Sequence, residues 1–275
     1  MRDSWSKDSV YMAFDCGPHG WLNGGHAHAD LLSFQIDYNS LPVIVDSGTY
    51  TYSGKWRNRY RGPDGHCSIK IDDFHPAMPN GPFHWCSAPD YKLLNWVTTD
   101  SYDYIRGKLS GSKSWTQERE IVFLKPSYFC LVDQVNGVGT HNMKIRFPLK
   151  GLDWQVEHTK CIGTLNKNKL CVIELLNTDE LRLELMNSWI SPVFGQKEPS
   201  KSLVLNGIVT LPFKYILFID LSSEQTRVEL LSSMGKEYIN LTSDYIKPGV
   251  VHIGRGEFQS GINPTIQKII ISQFG

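Results

Sequence analysis

The chain has 275 residues, enough for one large β domain or two small ones. Lysine plus arginine equals aspartate plus glutamate, at 28 each, so no overall charge recruits nucleic acid or an anionic membrane. No apolar run approaches the roughly 20 residues of a membrane span, and residues 1–9 contain no apolar segment of an export signal.

Strand signals recur along the chain, as short β-branched and aromatic runs between glycine, proline, asparagine and aspartate. The predicted strands are 10–14, 31–38, 41–45, 68–71, 93–98, 102–109, 118–123, 128–135, 143–148, 170–176, 181–186, 214–220 and 251–253. Turns are predicted at 38–40, 135–137 and 166–168. The nearest helical candidate is 224–233. The pattern predicts an all-β fold, a large antiparallel multi-stranded β-sandwich with few or no helices.

Domain organisation and cysteine usage give two further expectations. Residues 1–275 are expected to form one sandwich domain, with a possible sub-boundary near Gly151. The six cysteines are scattered and form no CxxC pair, which favours separate, mostly buried thiols over a disulfide scaffold. Aromatic residues reach 12%, with eight tryptophans, a content that suits a sheet-rich core and is also common in sugar-binding proteins.

The second and third predicted strands form a hairpin that brings two polar side chains together. Residues 25–30 read GHAHAD and lead into the run 31–38, in which apolar and polar positions alternate. The next run, 41–45, is almost continuously apolar and is followed by Asp46. If the two runs pair around a short turn, His28 and Asp46 lie near the same end of the hairpin.

A third polar side chain joins this pair. His66 opens a later strand, after an arginine-rich segment predicted to be a loop. Two imidazole nitrogens and a carboxylate oxygen suit Zn²⁺, which is usually four-coordinate in proteins. The alternative is that His28 and His66 are simply hydrogen-bonded histidines at strand ends. His26 and His28 are two residues apart, so in an extended segment both point to one face.

Six blocks follow one another along the chain: residues 15–20 (DCGPHG), 25–34 (GHAHADLLSF), 45–52 (VDSGTYTY), 57–61 (RNRYR), 66–72 (HCSIKID) and 191–197 (SPVFGQK). In this order and spacing they resemble the heparinase II/III-like polysaccharide lyases. The last block looks like the family's Ser-Pro-x-Tyr-Gly-x-Lys segment, with Phe194 in place of the tyrosine. The resemblance covers essentially the whole chain and is densest over residues 10–85.

The resemblance implies an architecture and a site. In that family an α/α toroid precedes an antiparallel β-sandwich, and the likeness is to the sandwich alone, with no counterpart of the toroid in this sequence. It implies a largely structural Zn²⁺ on His28, Asp46 and His66. It also implies that His26 is the catalytic histidine that faces the substrate cleft, while a tyrosine and an asparagine or histidine come from the toroid. The full-length protein would be periplasmic or secreted, with an unknown oligomeric state.

Several residues near these blocks are candidates for contact with an acidic polysaccharide. Arginine binds carboxylate or sulfate groups with two parallel hydrogen bonds, which makes the basic segment a candidate. The alternative is that its arginines are solvated or paired with Asp64 and Asp72. Asp30 is expected to accept a hydrogen bond from a metal-ligating histidine. The predicted substrate-binding residues are Arg57, Arg59, Arg61, Tyr50, Tyr52 and Trp85, with core packing as the alternative for the tyrosines.

The leading interpretation is the β-sandwich domain of a lyase that cleaves a uronate polysaccharide, such as a glycosaminoglycan or alginate, by β-elimination. Such a domain would be incomplete without the toroid. One alternative is a non-catalytic carbohydrate-binding or structural sandwich. Another is a metal-dependent hydrolase, for which Asp30 is the only obvious general base. His75 and His84 are expected to be histidines of surface loops.

Overall fold

The structure, a computed structural model, describes residues 1–111, 114–222, 226–233, 236–242, 249–253 and 268–270. It contains 57% strand and 5% helix. The chain divides into two compact units, Met1–Leu221 and Ser222–Gly275. Gly151, where the sequence indicates a possible sub-boundary, lies inside the first unit with a φ of +77°. The fold is the all-β antiparallel sandwich that the sequence predicts.

The first unit is built on one antiparallel system of 13 strands. The main path of hydrogen-bonded neighbours runs β1-β2-β3-β8-β13-β11-β10-β9, while β12 pairs with β13, β4 with β8, and β5-β6-β7 continue from β8. The strands are β1 (Val10–Phe14), β2 (Phe34–Tyr38), β3 (Leu41–Ile44), β4 (Ile69–Ile71), β5 (Asp90–Thr98), β6 (Tyr102–Ser110), β7 (Trp115–Leu124), β8 (Tyr128–Leu149), β9 (Asp153–Glu157), β10 (Lys160–Leu165), β11 (Asn168–Leu175), β12 (Arg182–Ile190) and β13 (Glu198–Asp220).

Two long strands, β8 and β13, hold this system together. They pair antiparallel from Tyr128 opposite Asp220 to Leu149 opposite Lys201, with one bulge. The first half of β8 also pairs with β7, and its second half pairs with β4 and β3. Inward-facing apolar side chains fill the space between the layers. Strand β8 therefore connects the strands β5, β6 and β7 with β3 and β4, which lie next to the candidate site.

The continuity of β8 makes one predicted turn wrong. Residues 135–137 lie inside the strand, where Val135 pairs with Phe213 and Gly137 pairs with Trp115. Pairing with β7 through the segment, and with β13 on either side of it, outweighs the local turn preference of asparagine and glycine. The other two predicted turns are confirmed: residues at positive φ close the β2–β3 and β10–β11 hairpins, as the sequence of each turn requires.

The arginine-rich segment is a short helix, α1 (Gly54–Arg61), where a loop is expected from the sequence. Trp56 and Tyr60, one turn apart, share a face with ring centroids 6.1 Å apart. A single 3₁₀ turn, Pro63–Gly65, follows directly. The residue before a proline disfavours the helical region, so Gly62 adopts an extended conformation and ends α1. Side-chain packing, rather than helical periodicity, forms this element.

The second unit is a four-stranded sheet in the order β14-β15-β16-β17, of which the last pair is parallel. Its strands are β14 (Arg227–Ser233), β15 (Lys236–Thr242), β16 (Gly249–Ile253) and β17 (Lys268–Ile270). The helical candidate 224–233 is therefore wrong over β14, and residues 224–225 lie outside the described residues. Among the described residues, no helix is long and apolar enough to cross a membrane. All six cysteines are free.

Candidate functional site

Three segments converge at one end of the first unit. The loop between β1 and β2 carries His28, the segment after β3 carries Asp46, and His66 follows the 3₁₀ turn that leads to β4. One donor atom from each of these residues lies within 4.8 Å of the other two. The structure thus brings together the three residues that the sequence analysis groups as metal ligands.

The three side chains already contact one another or their surroundings. His66 Nδ1 and Asp46 Oδ2 are 2.6 Å apart, and the other carboxylate oxygen accepts the Gly48 N–H at 2.6 Å. The His28 and His66 ring centroids lie 5.2 Å apart, and His28 Nε2 is 3.2 Å from the hydroxyl of Thr49. His66 is fully buried, and its Nε2 has no hydrogen-bond partner among the described residues.

Burial and proximity set the protonation of this cluster. Burial, with a contribution from His66, lowers the pKa of His28 to about 4, so His28 is neutral at pH 7. Burial alone would raise the pKa of Asp46, but the adjacent His66 outweighs it and holds that pKa below its usual range. Burial alone would lower the pKa of His66, but Asp46 outweighs it and raises that pKa. The cluster therefore offers a neutral imidazole and an ionised carboxylate.

The donor set fits a zinc-like ion. Two imidazole nitrogens and one carboxylate oxygen are ligands that Zn²⁺ prefers, and three protein ligands leave one coordination position for a further group. A buried polar nitrogen without a partner is costly, and the Nε2 of His66 is such an atom. A bound cation would provide a partner for this nitrogen.

A buried ion pair ties together the segments that carry the histidines. Arg119 of β7 donates through Nη1 to the carbonyls of Leu32 and Cys67, at 2.8 and 2.6 Å. Asp133 of β8 accepts from the other nitrogens of this guanidinium, and both side chains are fully buried. Ser68 adds a hydrogen bond to the carbonyl of Ala29 at 2.7 Å. The loop next to His28 and the strand after His66 are thereby fixed to one charged group.

This pair is not predicted from the sequence. The available signal is that Arg119 shares the alternation of Ile121 and Phe123 and that Asp133 lies in the mostly apolar run 128–135, since charged side chains are rarely buried without a partner.

His26, two residues before His28, is exposed and lies in a turn and not in an extended segment. Its ring contacts Tyr52 edge-on with centroids 5.4 Å apart, and Phe83 at 6.4 Å. Tyr52 stacks on Phe83 at 6.2 Å and contacts Phe194 at 5.5 Å. These three rings are 40%, 39% and 60% exposed, respectively. We call His26, Tyr52, Phe83 and Phe194 the aromatic face. Neither Phe83 nor Phe194 is among the substrate-binding residues predicted from the sequence.

A cavity of about 360 Å³ lies beside the loop. It is lined by His26 and His28 together with Asp15, His19 and Asp30. Burial, reinforced by the charge of Asp30, raises the pKa of Asp15 to about 6. Asp30 therefore lines the same cavity as the two histidines and lies close to a second carboxyl group, while the described residues show no hydrogen bond from a histidine to it.

The arginines of α1 hold the loops around His26. Buried Arg57 donates to the carbonyls of Gly25 and Pro82, at 3.0 and 3.2 Å, and its guanidinium lies 4.9 Å from the Tyr52 ring centroid. Each such bond ties helix α1 to a loop that contributes to the aromatic face. The helix is thus a support for that face.

Arg61 and Arg59 make equivalent contacts. Buried Arg61 donates to the carbonyls of Gly81 and His84 at 2.6 Å each and lies 4.3 Å from the Trp85 ring centroid. Arg59 donates to the carbonyl of Asp64 and to the hydroxyl of Ser188, at 2.9 and 2.8 Å. Each guanidinium already binds neutral oxygens of the chain itself.

The remaining predicted residues occupy separate positions. Trp85 is half-buried, donates to the carbonyl of Gly24 at 2.7 Å and packs against His19. Tyr50 contacts Trp56 and Tyr60, at 6.2 and 5.8 Å, and not the aromatic face. Of the two tyrosines predicted to line a cleft, only Tyr52 lies beside His26.

His75 corrects a further expectation. It is 1% exposed, not in a surface loop, and its Nδ1 accepts the Ala77 N–H at 3.0 Å. Burial lowers the pKa of His75 to about 3, so the ring is neutral. His84 is exposed, as expected from the sequence.

The chain is similar to known proteins over most of its length. A family model described as Heparinase II/III-like, C-terminal matches residues 3–231. A heparin-sulfate lyase of Pedobacter heparinus is 21% identical over 238 residues, covering 78% of this chain and 33% of that protein. One from Bacteroides stercoris is 19% identical over 214 residues, covering 75% and 30%. The chain thus spans about a third of the length of these relatives.

Solved structures show the same fold. The heparan sulfate lyase HepC of Pedobacter heparinus superposes with a TM-score of 0.76 at 19% identity, covering 92% of this chain and 40% of that one. A heparinase III superposes with a TM-score of 0.73 at 14% identity and the same coverage. In both, the match takes in less than half of the longer chain.

Proposed function

Because the chain belongs to the heparinase II/III-like C-terminal family, we propose that it is the β-sandwich part of a lyase that cleaves uronate polysaccharides. The matched relatives carry the name heparin-sulfate lyase, which makes a glycosaminoglycan of the heparan sulfate type the first substrate to test, ahead of alginate. Since the chain matches only about a third of each relative, we further propose that an α/α-toroid domain completes the enzyme. The full-length protein is then secreted or periplasmic.

The observation that carries the proposal is the position of His26. Its imidazole is exposed and surrounded by partly exposed aromatic rings. Aromatic rings offer large apolar faces at low entropic cost, which suits the apolar faces of sugar rings. A titratable group beside such a surface is the arrangement that a saccharide-cleaving site requires.

β-Elimination sets three demands on the site. The enzyme must neutralise the uronate carboxylate, remove the proton at C5 and protonate the leaving oxygen at C4. In the proposal, His26 binds the sugar at the carboxylate end while Tyr52 and Phe194 pack against the ring. The groups that transfer the protons come from the toroid.

We propose that His28, Asp46 and His66 hold a zinc ion, with Asp30 beside the histidines. Bound there, the ion supplies a positive charge that clamps the loop carrying His26 against the segments after β3 and before β4. The convergence of the three donor atoms and the unpartnered His66 Nε2 support this. The test is elemental analysis of the purified chain: near-stoichiometric zinc is expected, and its loss in His28→Ala but not in His84→Ala.

The test of function is an elimination assay on the full gene product with heparan sulfate. The unsaturated uronyl product absorbs in the ultraviolet, so its formation is followed directly. His26→Ala is expected to lower kcat/KM by at least 100-fold, as for loss of an acid–base or positioning group, while His84→Ala retains the wild-type rate. Full activity in His26→Ala would contradict the proposed role of this histidine.

The aromatic face also favours a second candidate, a carbohydrate-binding sandwich without catalysis. Binding of heparan sulfate with no unsaturated product from the full gene product would support it. Product without ultraviolet absorbance, formed only with metal present, would instead indicate the hydrolase alternative.

A further inference from the structure

A groove apart from the His26 loop combines two tryptophans with two lysines. It has a volume of about 510 Å³ and lies where the end of β8 and the start of β9 meet β12 and the first residues of β13. A cavity of this size can hold a small oligosaccharide. None of its lining residues lines the cavity at His26 and His28. Its side chains include Trp154, Trp189, Lys150, Lys201, Asn187 and Ser188.

Trp189 is held in place from one side. Its ring packs edge-on against Trp56 with centroids 6.3 Å apart, and Lys197 Nζ lies 4.9 Å from its centroid. The tryptophan is nevertheless 37% exposed. A ring whose orientation is fixed by neighbours and whose remaining surface is open loses little entropy when a ligand stacks on it.

Trp154 forms a second wall of the groove. It pairs with Gly163 across β9 and β10, and a Cβ at position 163 would stand 2.8 Å from Cζ3 of the indole. The ring therefore lies directly on the backbone of Gly163, in space that only glycine leaves open. The Nε1 of Trp154 is buried and has no hydrogen-bond partner in the described part of the chain. Because this nitrogen is buried, Trp154 lines the groove with its apolar ring and not with its N–H.

The polar groups of the groove are cationic or neutral. Lys201 donates to the neutral amide oxygen of Asn187 at 2.7 Å, and Lys150 pairs with Glu198 at 3.0 Å in an exposed contact. Exposed ion pairs contribute little and exchange readily for another anion. Two lysine ammonium groups beside two indole rings match a ligand that has both apolar ring faces and negative charge.

We propose that this groove is a second saccharide-binding site, which takes an anionic oligosaccharide segment away from the His26 loop. The ligand class rests on the proposed function, whereas the groove itself does not. Trp189 and Trp154 pack against sugar rings, and Lys150 and Lys201 contact carboxylate or sulfate groups. Such a site would hold a long chain in place while another part of it reaches the aromatic face.

The test is calorimetric titration of the purified chain with size-defined heparan sulfate oligosaccharides. Trp189→Ala is expected to weaken binding by roughly ten-fold, the loss of one well-packed aromatic contact. Trp154→Phe keeps a smaller ring and reduces the apolar area that a sugar contacts, for an expected loss of roughly three-fold. Lys201→Gln is expected to weaken binding and to reduce its dependence on salt. Neutral dextran is expected not to bind.

Trp96→Ala is the matched control, since this tryptophan of β5 is 58% exposed and lines neither cavity. It is expected to bind as the wild type does. A wild-type chain that does not bind, or unchanged affinity in both Trp189→Ala and Trp154→Phe with normal thermal unfolding, would overturn the proposal. Equal losses in Trp96→Ala would do the same.

The elimination assay separates this proposal from the proposed function. In the full gene product, Trp189→Ala is expected to raise KM on long chains several-fold and to leave kcat on short oligosaccharides unchanged. A gene product that forms no unsaturated uronate but still binds through the groove would contradict only the proposed lyase activity. Normal elimination with no effect of Trp189→Ala on KM would contradict only the groove.

Discussion

Two histidines separated by one residue lie in opposite surroundings. His28 lies in a largely buried polar cluster, where Asp46 and His66 are within a few ångströms. His26 is exposed and contacts aromatic rings that are themselves open to solvent. The same short loop thus has an inner side that contacts buried polar groups of the chain and an outer side that contacts partly exposed rings.

We expect variants on the two sides of the loop to affect different properties of the protein. Changes on the inner side remove buried charges or ligands and are expected to alter the free energy of unfolding. Changes on the outer side remove partly exposed surface and are expected to alter binding or catalysis with little effect on folding. Variants of the two sides, measured for both quantities, test whether the division is real.

The largest loss of stability is expected for Asp133→Ala. It leaves the Arg119 guanidinium buried without its carboxylate, and breaking a buried pair in this way costs about 3–5 kcal/mol. Because Arg119 also binds the carbonyls of Leu32 and Cys67, zinc affinity is expected to fall as well. Urea unfolding and metal titration measure the two effects.

Glu198→Ala is the control for this variant, since it breaks the exposed pair with Lys150. It is expected to change the free energy of unfolding by less than about 1 kcal/mol. A loss below that value in Asp133→Ala would mean that the buried pair does not support the inner side.

A smaller loss of stability, which depends on bound metal, is expected for His28→Ala. With zinc at about 100 times its Kd, binding contributes about 2.7 kcal/mol to the folded wild type. For a domain of this size that corresponds to a decrease in Tm of roughly 5–10 °C in the variant. Added chelator is expected to remove most of the difference, because both proteins then lack the ion.

His84→Ala is the matched histidine control and is expected to leave Tm unchanged with or without chelator, since His84 is exposed. An equal loss of Tm in His28→Ala at saturating zinc and in chelator would show that His28 supports the fold without binding metal.

The burial of His75 is expected to make the free energy of unfolding depend on pH. Burial lowers the pKa of His75 to about 3, against about 6.5 when unfolded, so the unfolded chain binds the extra proton. This contribution to stability is present above pH 6.5 and is lost as pH falls toward 3, by at most about 1.4 kcal/mol per pH unit. Urea unfolding between pH 7 and pH 4, with chelator present, measures it.

His75→Asn is the variant to compare, because its amide oxygen can accept the Ala77 N–H without a titratable ring. The slope of stability against pH is expected to decrease by about one proton in this variant. His66 has the opposite sign, since Asp46 raises its pKa. If the free energy of unfolding falls equally in wild type and His75→Asn between pH 7 and pH 4, the ring of His75 does not stay neutral in the folded chain.

The sequence predicts the inner side better than the outer side. His28, Asp46 and His66 end or begin segments whose apolar patterns assign them to strands, and strand pairing then brings them together. Phe83 and Phe194 belong to loops with no periodicity, so nothing local indicates that they meet at Tyr52. Contacts between loops depend on tertiary packing that a single sequence does not encode locally.

Two segments whose secondary structure is wrongly predicted from the sequence also depend on contacts between distant residues. Helix α1 has too few residues to show a period, and its stability comes from the rings of Trp56 and Tyr60 and from arginine bonds to neighbouring loops. Strand β8 passes through Asn136 and Gly137 because β7 pairs with both residues and β13 pairs with Val135 and Gly139 on either side of them. In both places a long-range contact decides a conformation that the local residues leave open.

The smallest effect on folding is expected for Phe194→Ala, at the edge of the aromatic face. Because the ring is 60% exposed, the free energy of unfolding is expected to change by no more than about 0.5 kcal/mol. Its contact with Tyr52 positions that ring beside His26, so kcat/KM for heparan sulfate is expected to fall roughly ten-fold in the full gene product. Val138→Ala, at a more exposed position on β8, is the control and is expected to change neither quantity. A loss of stability in Phe194→Ala larger than its loss of activity would place this ring with the inner side, and the division between the two sides of the loop would fail.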